Sequence, residues 1–280
     1  MLLPEFCEEL FYIKEINLFD TSFKNYLKKV HEYNILKTQK WLKGLNQNYT
    51  IQQLKNLQRL DLSNNQLTSI PNLNLPNLQL LSLSYNQLTS FPNFNLPNLQ
   101  LLDLSNNQLT SFQNLNLPNL ETLDLSNNQL ISIPSLTLSN LPNIQLLFLS
   151  NNQLTSISNL NLPNLESIIL SNNQLTSLQN LNLPNLQILD LSTNELTSIP
   201  NFNLLNLQEL SLSHNQLTSI PNLNLPNLQE LDLNDNQLTS IPTLSLSNLP
   251  NLQSLFLENN PLTEQTKKYI ESLNIKSLYL

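Results

Sequence analysis

Among its 280 residues the chain has no alanine, one glycine (Gly44), one cysteine (Cys7) and one tryptophan (Trp41). A lone cysteine excludes an internal disulfide framework and a zinc site built from several thiolates. It suits a reducing compartment, or a fold that needs no oxidation. A lone glycine excludes the glycine-rich loops that cradle phosphate and the elbow that presents a nucleophilic serine. No apolar run approaches the roughly 18–20 residues needed to cross a bilayer. The opening MLLPEFCEELFYI places Glu5, Glu8 and Glu9 where a secretory leader would carry bases. Without a leader, the sequon Asn48-Tyr49-Thr50 carries little weight.

Positive charge is scarce, and it is scarce in one place. Residues 57–262 hold a single base, Arg59, against 12 acidic residues, and no lysine. Residues 1–56 carry 8 Lys against 6 acidic residues, and 263–280 carry 3 Lys against 2, so the chain totals −8. An acidic chain of pI near 4.7 is a poor non-specific binder of nucleic acid, which rewards a basic surface. Catalytic constellations are also missing. His31 and His214 stand far apart, the serines follow no nucleophile motif, and Asp61, Asp103 and Asp124 are dispersed along the chain. The expectation is a protein with no enzymatic activity, no cofactor, no metal and no small-molecule substrate.

What the chain has in abundance is repetition. From Leu57 onward, LQRLDLSNNQLTSIPNLNLPN recurs with a period of 21, and the units beginning at Leu120 and Leu228 are each three residues longer. Each unit reads L-x-x-L-x-L-x-x-N-x-L; the seventh has Leu186, Leu189, Leu191, Asn194 and Leu196. The alternation in L-x-L predicts a short strand with one face inward. One unit cannot bury its leucines, but stacked units share a continuous core. The ninth position is always asparagine, from Asn65 to Asn260. Its amide has both donors and an acceptor, which predicts a buried structural column where each strand turns away. The second half of each unit contains proline and lacks helical spacing, predicting an extended or short 3₁₀ return. Residues 132–152 nearly match 240–260, so the array reads as a duplicated five-unit block.

This pattern resembles the leucine-rich-repeat family, in particular the short repeats of internalins and of a protein phosphatase regulatory subunit. The resemblance implies an α/β solenoid: a curved right-handed horseshoe with a parallel concave sheet, an extended or 3₁₀ convex side and a helical N-terminal cap. The domain reading is a cap over 1–56, ten repeats over 57–262, and a C-terminal cap helix with a final strand over 263–280. In the cap, Asp20 and Thr21 begin a helix carrying Phe23, Tyr26, Leu27 and Val30, with Ile35, Leu36, Trp41, Leu42 and Leu45 continuing the apolar content. Leu3-Pro4 and Leu10-Phe11 are similar to the opening of an F-box, although the Leu-Phe pair sits about one residue early and Trp41 lies far downstream. Ile275, Leu278 and Leu280 repeat L-x-x-L-x-L in an eleventh strand.

In this family partners usually bind the concave sheet, through the outward residues that flank the strand leucines. Leu146, Phe148, Ile169 and Ile188 place apolar groups there on three adjacent strands, as an interaction site would. Beside them, Asp190, Glu209, Glu230 and Asp232, with Asp235 and Glu258, form an acidic surface suited to a basic segment. The expected partner is another protein offering an apolar anchor and a basic stretch, with no role for nucleic acid or membrane. Phe148 and Phe256 occupy the same place in the duplicated block, so duplication relics or local packing remain open for them. The expected setting is cytoplasmic, or a host cytoplasm if the chain is an effector. The alternative function is a substrate receptor whose N-terminal helices dock to a ubiquitin-ligase-like complex.

Overall fold

Residues 21–111, 115–133, 141–157, 160–179, 181–242, 246, 248–273 and 275–280 are described by a computed structural model. The F-box-like stretch and Asp20 lie outside them, as do the side chains of Thr21 to Asn25.

Each strand is three residues long and centred on the first member of the L-x-L (Leu60 in the first unit, Ile168 in the sixth), which faces in while its two neighbours lie on the opposite face. These strands are β1 (Arg59–Asp61), β2 (Leu80–Ser82), β3 (Leu101–Asp103), β4 (Thr122–Asp124), β5 (Leu146–Phe148), β6 (Ser167–Ile169), β7 (Ile188–Asp190), β8 (Glu209–Ser211), β9 (Glu230–Asp232), β10 (Ser254–Phe256) and β11 (Ser277–Tyr279). They form one 11-stranded sheet in chain order, and every pairing is parallel. Register follows the repeat, with Leu60 opposite Leu81 and Leu147 opposite Ile168. The two longer units keep this register, and each is followed by a strand carrying a phenylalanine.

Between strands the chain returns in extended form, tucking leucine and isoleucine beneath the sheet. Leu67, Ile70, Leu73 and Leu75 of the first unit are all buried. Among the described residues of these returns none is in a 3₁₀ helix, and Leu246, in the second longer unit, is helical. It ends at a β-turn over Leu-Pro-Asn-Leu, closed by the Leu78 N–H donating to the Leu75 carbonyl at 3.1 Å. Proline suits the second place of such a turn because its φ is already fixed there. In one unit Leu205 replaces the proline; the turn still closes, from Leu207 to Leu204 at 3.1 Å, and the Leu205 side chain is exposed.

Two asparagine ladders join neighbouring units. In the inner one, Asn173 Oδ1 accepts from the Leu154 N–H at 3.0 Å, and its Nδ2 donates to the carbonyls of Leu149 and Leu170, both at 3.0 Å. Asn86, Asn107, Asn128, Asn152, Asn194, Asn215 and Asn236 repeat the arrangement and are buried. Asn65 departs from the expected buried column: no unit precedes its own, and it is exposed, donating to the Ser63 carbonyl at 2.8 Å. The outer ladder uses the turn asparagines. Asn77, Asn98 and Asn119 donate to the carbonyls of Lys55, Pro76 and Pro97, each at 2.8 Å.

The N-terminal end of the core is covered by helix α1 (Thr21–Gly44) and the short α2 (Ile51–Lys55). Ile35 and Leu42 are fully buried with Leu54 against the solenoid leucines, and Thr38 lies on the same face. Leu36, one of the apolar residues continuing this helix, is 51% exposed. Asn74 of the first return clamps α1, its Nδ2 lying 3.0 Å from His31 Nδ1. Thr50 and Gln53 start α2 with a reciprocal capping box, which satisfies two donors at the helix start. At the far end, α3 (Glu264–Glu271) is capped by Thr263 and buries Ile270. No helix among the described residues is long and apolar enough to cross a membrane.

Candidate functional site

The outward residues of the strands form two rows across the sheet, at the third and fifth positions of each unit. In the third-position row, Leu146, Ser167 and Ile188 are successive neighbours on β5, β6 and β7. In the fifth-position row, Asp124, Phe148, Ile169 and Asp190 follow one another on β4 to β7. The four apolar residues singled out from sequence are therefore contiguous. They surround Ser167, which they leave only 7% exposed although it lies on the outward face. Each is itself half-buried, as are most outward residues of the neighbouring strands.

Asp190, Glu209, Glu230 and Asp232 follow on β7 to β9, but they are not equivalent. Glu209 and Glu230 are exposed and directly opposite each other, with no ion-pair partner among the described residues. Asp190 and Asp232 have Ser211 between them in the row, and each turns one oxygen back to its own backbone. Asp190 Oδ1 accepts the Ser192 N–H at 2.9 Å, and Asp232 Oδ1 accepts the Asn234 N–H at 3.0 Å. Asp61, Asp103 and Asp124 do the same, so the fifth-position aspartate closes the strand as an Asx turn. Only part of the acidic row is therefore free to face a partner.

Electrostatics vary along the row. Hydrogen bonds from the Ser63 hydroxyl and N–H hold the Asp61 carboxyl below its ordinary value, against a smaller opposing effect of burial. Asp124 is raised, chiefly by burial beside Phe148 and further by Asp103 opposite it on β3, although Ser126 donates to it. Desolvation there outweighs the hydrogen bonds.

The eighth position is a left-handed turn: Asn64, Asn106, Asn127, Asn151, Asn172 and Asn259 have φ of 54–58°. Asparagine recurs there because it tolerates positive φ, as do His214 (φ 53°) and Asp235 (φ 54°), whereas Tyr85 and Thr193 adopt φ of 54° without that preference. His214 Nε2 meets Asp235 at 3.5 Å on the next unit, and Asn259 Nδ2 donates to the same aspartate at 2.9 Å. Phe256 stacks on Tyr279, with centroids 4.8 Å apart and planes 7° from parallel. The fifth position of the eleventh L-x-x-L-x-L foreshadows that pair. Leu80 and Leu101 are also opposite one another and half-buried, a second apolar stretch near the N-terminal end.

The chain matches the family model described as Leucine Rich repeats (2 copies) over 55–96, 76–117, 97–138, 163–204, 205–246 and 226–267, and the model described as Leucine rich repeat over 118–175. It is similar to the solved structure of YopM, a leucine-rich effector protein from Yersinia pestis, at 34% identity and a TM-score of 0.65. That match covers 76% of this chain and 60% of the Yersinia protein, so this chain spans less than two thirds of its length. A TLR13–ssRNA13 complex matches at 29% identity and a TM-score of 0.67, covering 83% of this chain and 41% of the other. The glycosylated Toll–Spatzle complex of Drosophila matches at 26% identity and a TM-score of 0.63, covering 75% and 31%. No curated protein matches the chain.

Proposed function

The chain belongs to the leucine-rich-repeat family, and we propose that it is a non-catalytic scaffold binding another protein on its concave sheet. The contiguity of Leu146, Phe148, Ile169 and Ile188 around Ser167 carries this reading, since apolar groups on an outward sheet face favour association. The partner would seat an apolar anchor there and extend a basic segment toward Glu209 and Glu230. Of the carboxylates expected to receive that segment, these two have both oxygens uncommitted, while Asp190 and Asp232 offer one each. The effector role of the Yersinia relative and the complex that the Drosophila relative forms, Toll with Spatzle, support a recognition role. The acidity of the repeats disfavours the RNA seen with the TLR13 relative. The burial of Ile35, Leu42 and Leu54 supports residues 1–56 as a cap to the core, and no observation favours a docking role in a ubiquitin-ligase-like complex. The single cysteine and the effector relative support a cytoplasmic setting, the chain's own or a host's.

Affinity capture with the intact chain, compared with Phe148→Glu and Ile169→Glu, tests the site. Both variants should lose the partner while keeping the melting midpoint close to that of the parent. Equal recovery of the same partner with either variant would remove the patch from the proposal.

A further inference from the structure

Helix α1 covers the end of the core with one side and shows the other to solvent. Ile35, Thr38 and Leu42 are buried, whereas Lys29, Tyr33, Leu36, Lys40 and Lys43 are all exposed. Those five residues follow one another in steps of four and three, so they form a single stripe along the helix. Tyr33 and Leu36, at 46% and 51% exposure, give the stripe an apolar centre, and lysines stand before and after it. None of these lysines has an ion-pair partner among the described residues. Lys37, beside the stripe, lies over the Tyr33 ring at 5.0 Å and adds to the charge of the C-terminal half.

The concave sheet carries the complementary order. Asp124 on β4 precedes the apolar patch of β5 to β7, and Asp190, Glu209 and Glu230 follow on β7 to β9. On α1 the middle of the Tyr33–Leu36 pair lies about 10 Å from the middle of Lys40 and Lys43. On the sheet, β8 and β9 lie two and three intervals from β6, about 10–14 Å. Lys29 lies about 8 Å to the other side of the pair, and β4 about 10 Å to the other side of β6. Strands of three residues make a strip about 10 Å wide, which a single helix fills. The heavier charges correspond as well, since the lysine-rich half of α1 matches the carboxylate-rich end of the sheet.

We infer that α1 of one copy docks on the concave sheet of a second copy, with Tyr33 and Leu36 on the patch and Lys40 and Lys43 toward Glu209 and Glu230. The contact lies between molecules. Asn74 and the core leucines hold α1 at the N-terminal end, and β6 is five intervals from β1, about 24 Å along the sheet. The exposed face of α1 points away from its own core, so docking leaves the cap closed. Opposite charges on both sides of an apolar centre fix the register. Nucleic acid or an anionic lipid surface would also attract the lysines, but neither carries a fixed order of apolar and acidic groups. Each copy offers one helix and one sheet, so the contact is heterologous and extends into rings or filaments. The inference rests on the concave patch as a binding site and names the chain itself as one of its ligands.

Sedimentation velocity of the intact chain at low ionic strength tests the contact. The mean mass should climb above the 32.1 kDa of one chain as concentration rises, and added salt should return it to that value. Lys40→Glu/Lys43→Glu and Glu209→Lys/Glu230→Lys should each stay monomeric alone. Mixed together they should form a dimer of one copy of each, which grows no further, because the first keeps its sheet and the second its helix. The substituted side chains are all exposed, so both variants should melt with the parent. A parent that stays monomeric, whether another segment of the chain or an anionic surface holds α1, would overturn the inference. So would a mixture that stays monomeric, or self-association that Phe148→Glu leaves unchanged. In any of these cases, capture of a different protein that is lost with Phe148→Glu would still uphold the concave patch as a site.

Discussion

Glu209 stands directly opposite Glu230 on neighbouring parallel strands, both side chains exposed. Like charges facing across a sheet oppose its formation. Glu209→Gln should therefore raise stability by about 0.2–1 kcal/mol. Urea unfolding should show that gain at low ionic strength and its decline as salt screens the pair. If the pair meets a basic segment of a partner, the same variant should bind that partner less well. Opposite signs for stability and binding would identify the pair as a recognition feature.

Asn173 offers a sharper test of the ladder. Its side chain joins its own unit to Leu149 and Leu154 of the one before, and truncation strands a buried N–H and two carbonyls. Asn173→Ala should cost about 1–3 kcal/mol. Asn65→Ala, at the exposed head of the same column, should cost much less. A similar shift in denaturation midpoint for both would show that cross-unit bonding is not the source of the effect.

Leu205 occupies the place that proline holds in the equivalent turns, and its carbonyl still receives Asn227 Nδ2 at 2.8 Å. Leu205→Pro keeps that acceptor and restricts the unfolded chain. The substitution should stabilise the protein by about 0.4–1 kcal/mol. Thermal melting measures this, and a lower midpoint would mean that the turn geometry differs from its neighbours.

Asp124 provides the pH dependence. Burial, joined by Asp103, lifts its folded value above the ordinary 3.8, so the folded protein holds this proton more tightly than the unfolded chain does. Its ionisation thus opposes folding above the folded value, and the penalty fades as pH falls toward 3.8. Asp124→Asn keeps an oxygen for the Ser126 N–H and removes the buried charge. It should be more stable than the parent near neutral pH, and the advantage should disappear in acid. Asp61 has the reverse sign: its depressed value adds stability above 3.8 that is lost as pH falls through the folded value. Paired urea curves across the acid range separate the two.

Much of this architecture is legible in the chain itself, because one period dictates it. The L-x-L pairs announce β1 to β10, the last L-x-x-L-x-L announces β11, and the apolar outward residues of β5 to β7 announce the patch. The eighth-position turn is harder to read, since an asparagine chosen for positive φ looks the same in sequence as one chosen to face a ligand. Asp190 and Asp232 raise a similar ambiguity: a carboxylate that closes its own strand end also looks like surface charge. Leu36 joins an apolar tally by composition, and only the seating of α1 decides which side of the helix faces the core.

The inner asparagine column has a consequence for how such a molecule changes length. Every interior junction offers the same acceptors on one side and the same amide on the other. Removing one whole unit, such as residues 186–206, would bring Asn215 against the carbonyl of Leu170 in place of Leu191. The new seam would match the old ones bond for bond. A gene encoding this chain can gain or lose units by unequal exchange without inventing a new joint, and the width of the binding surface becomes heritable in whole steps.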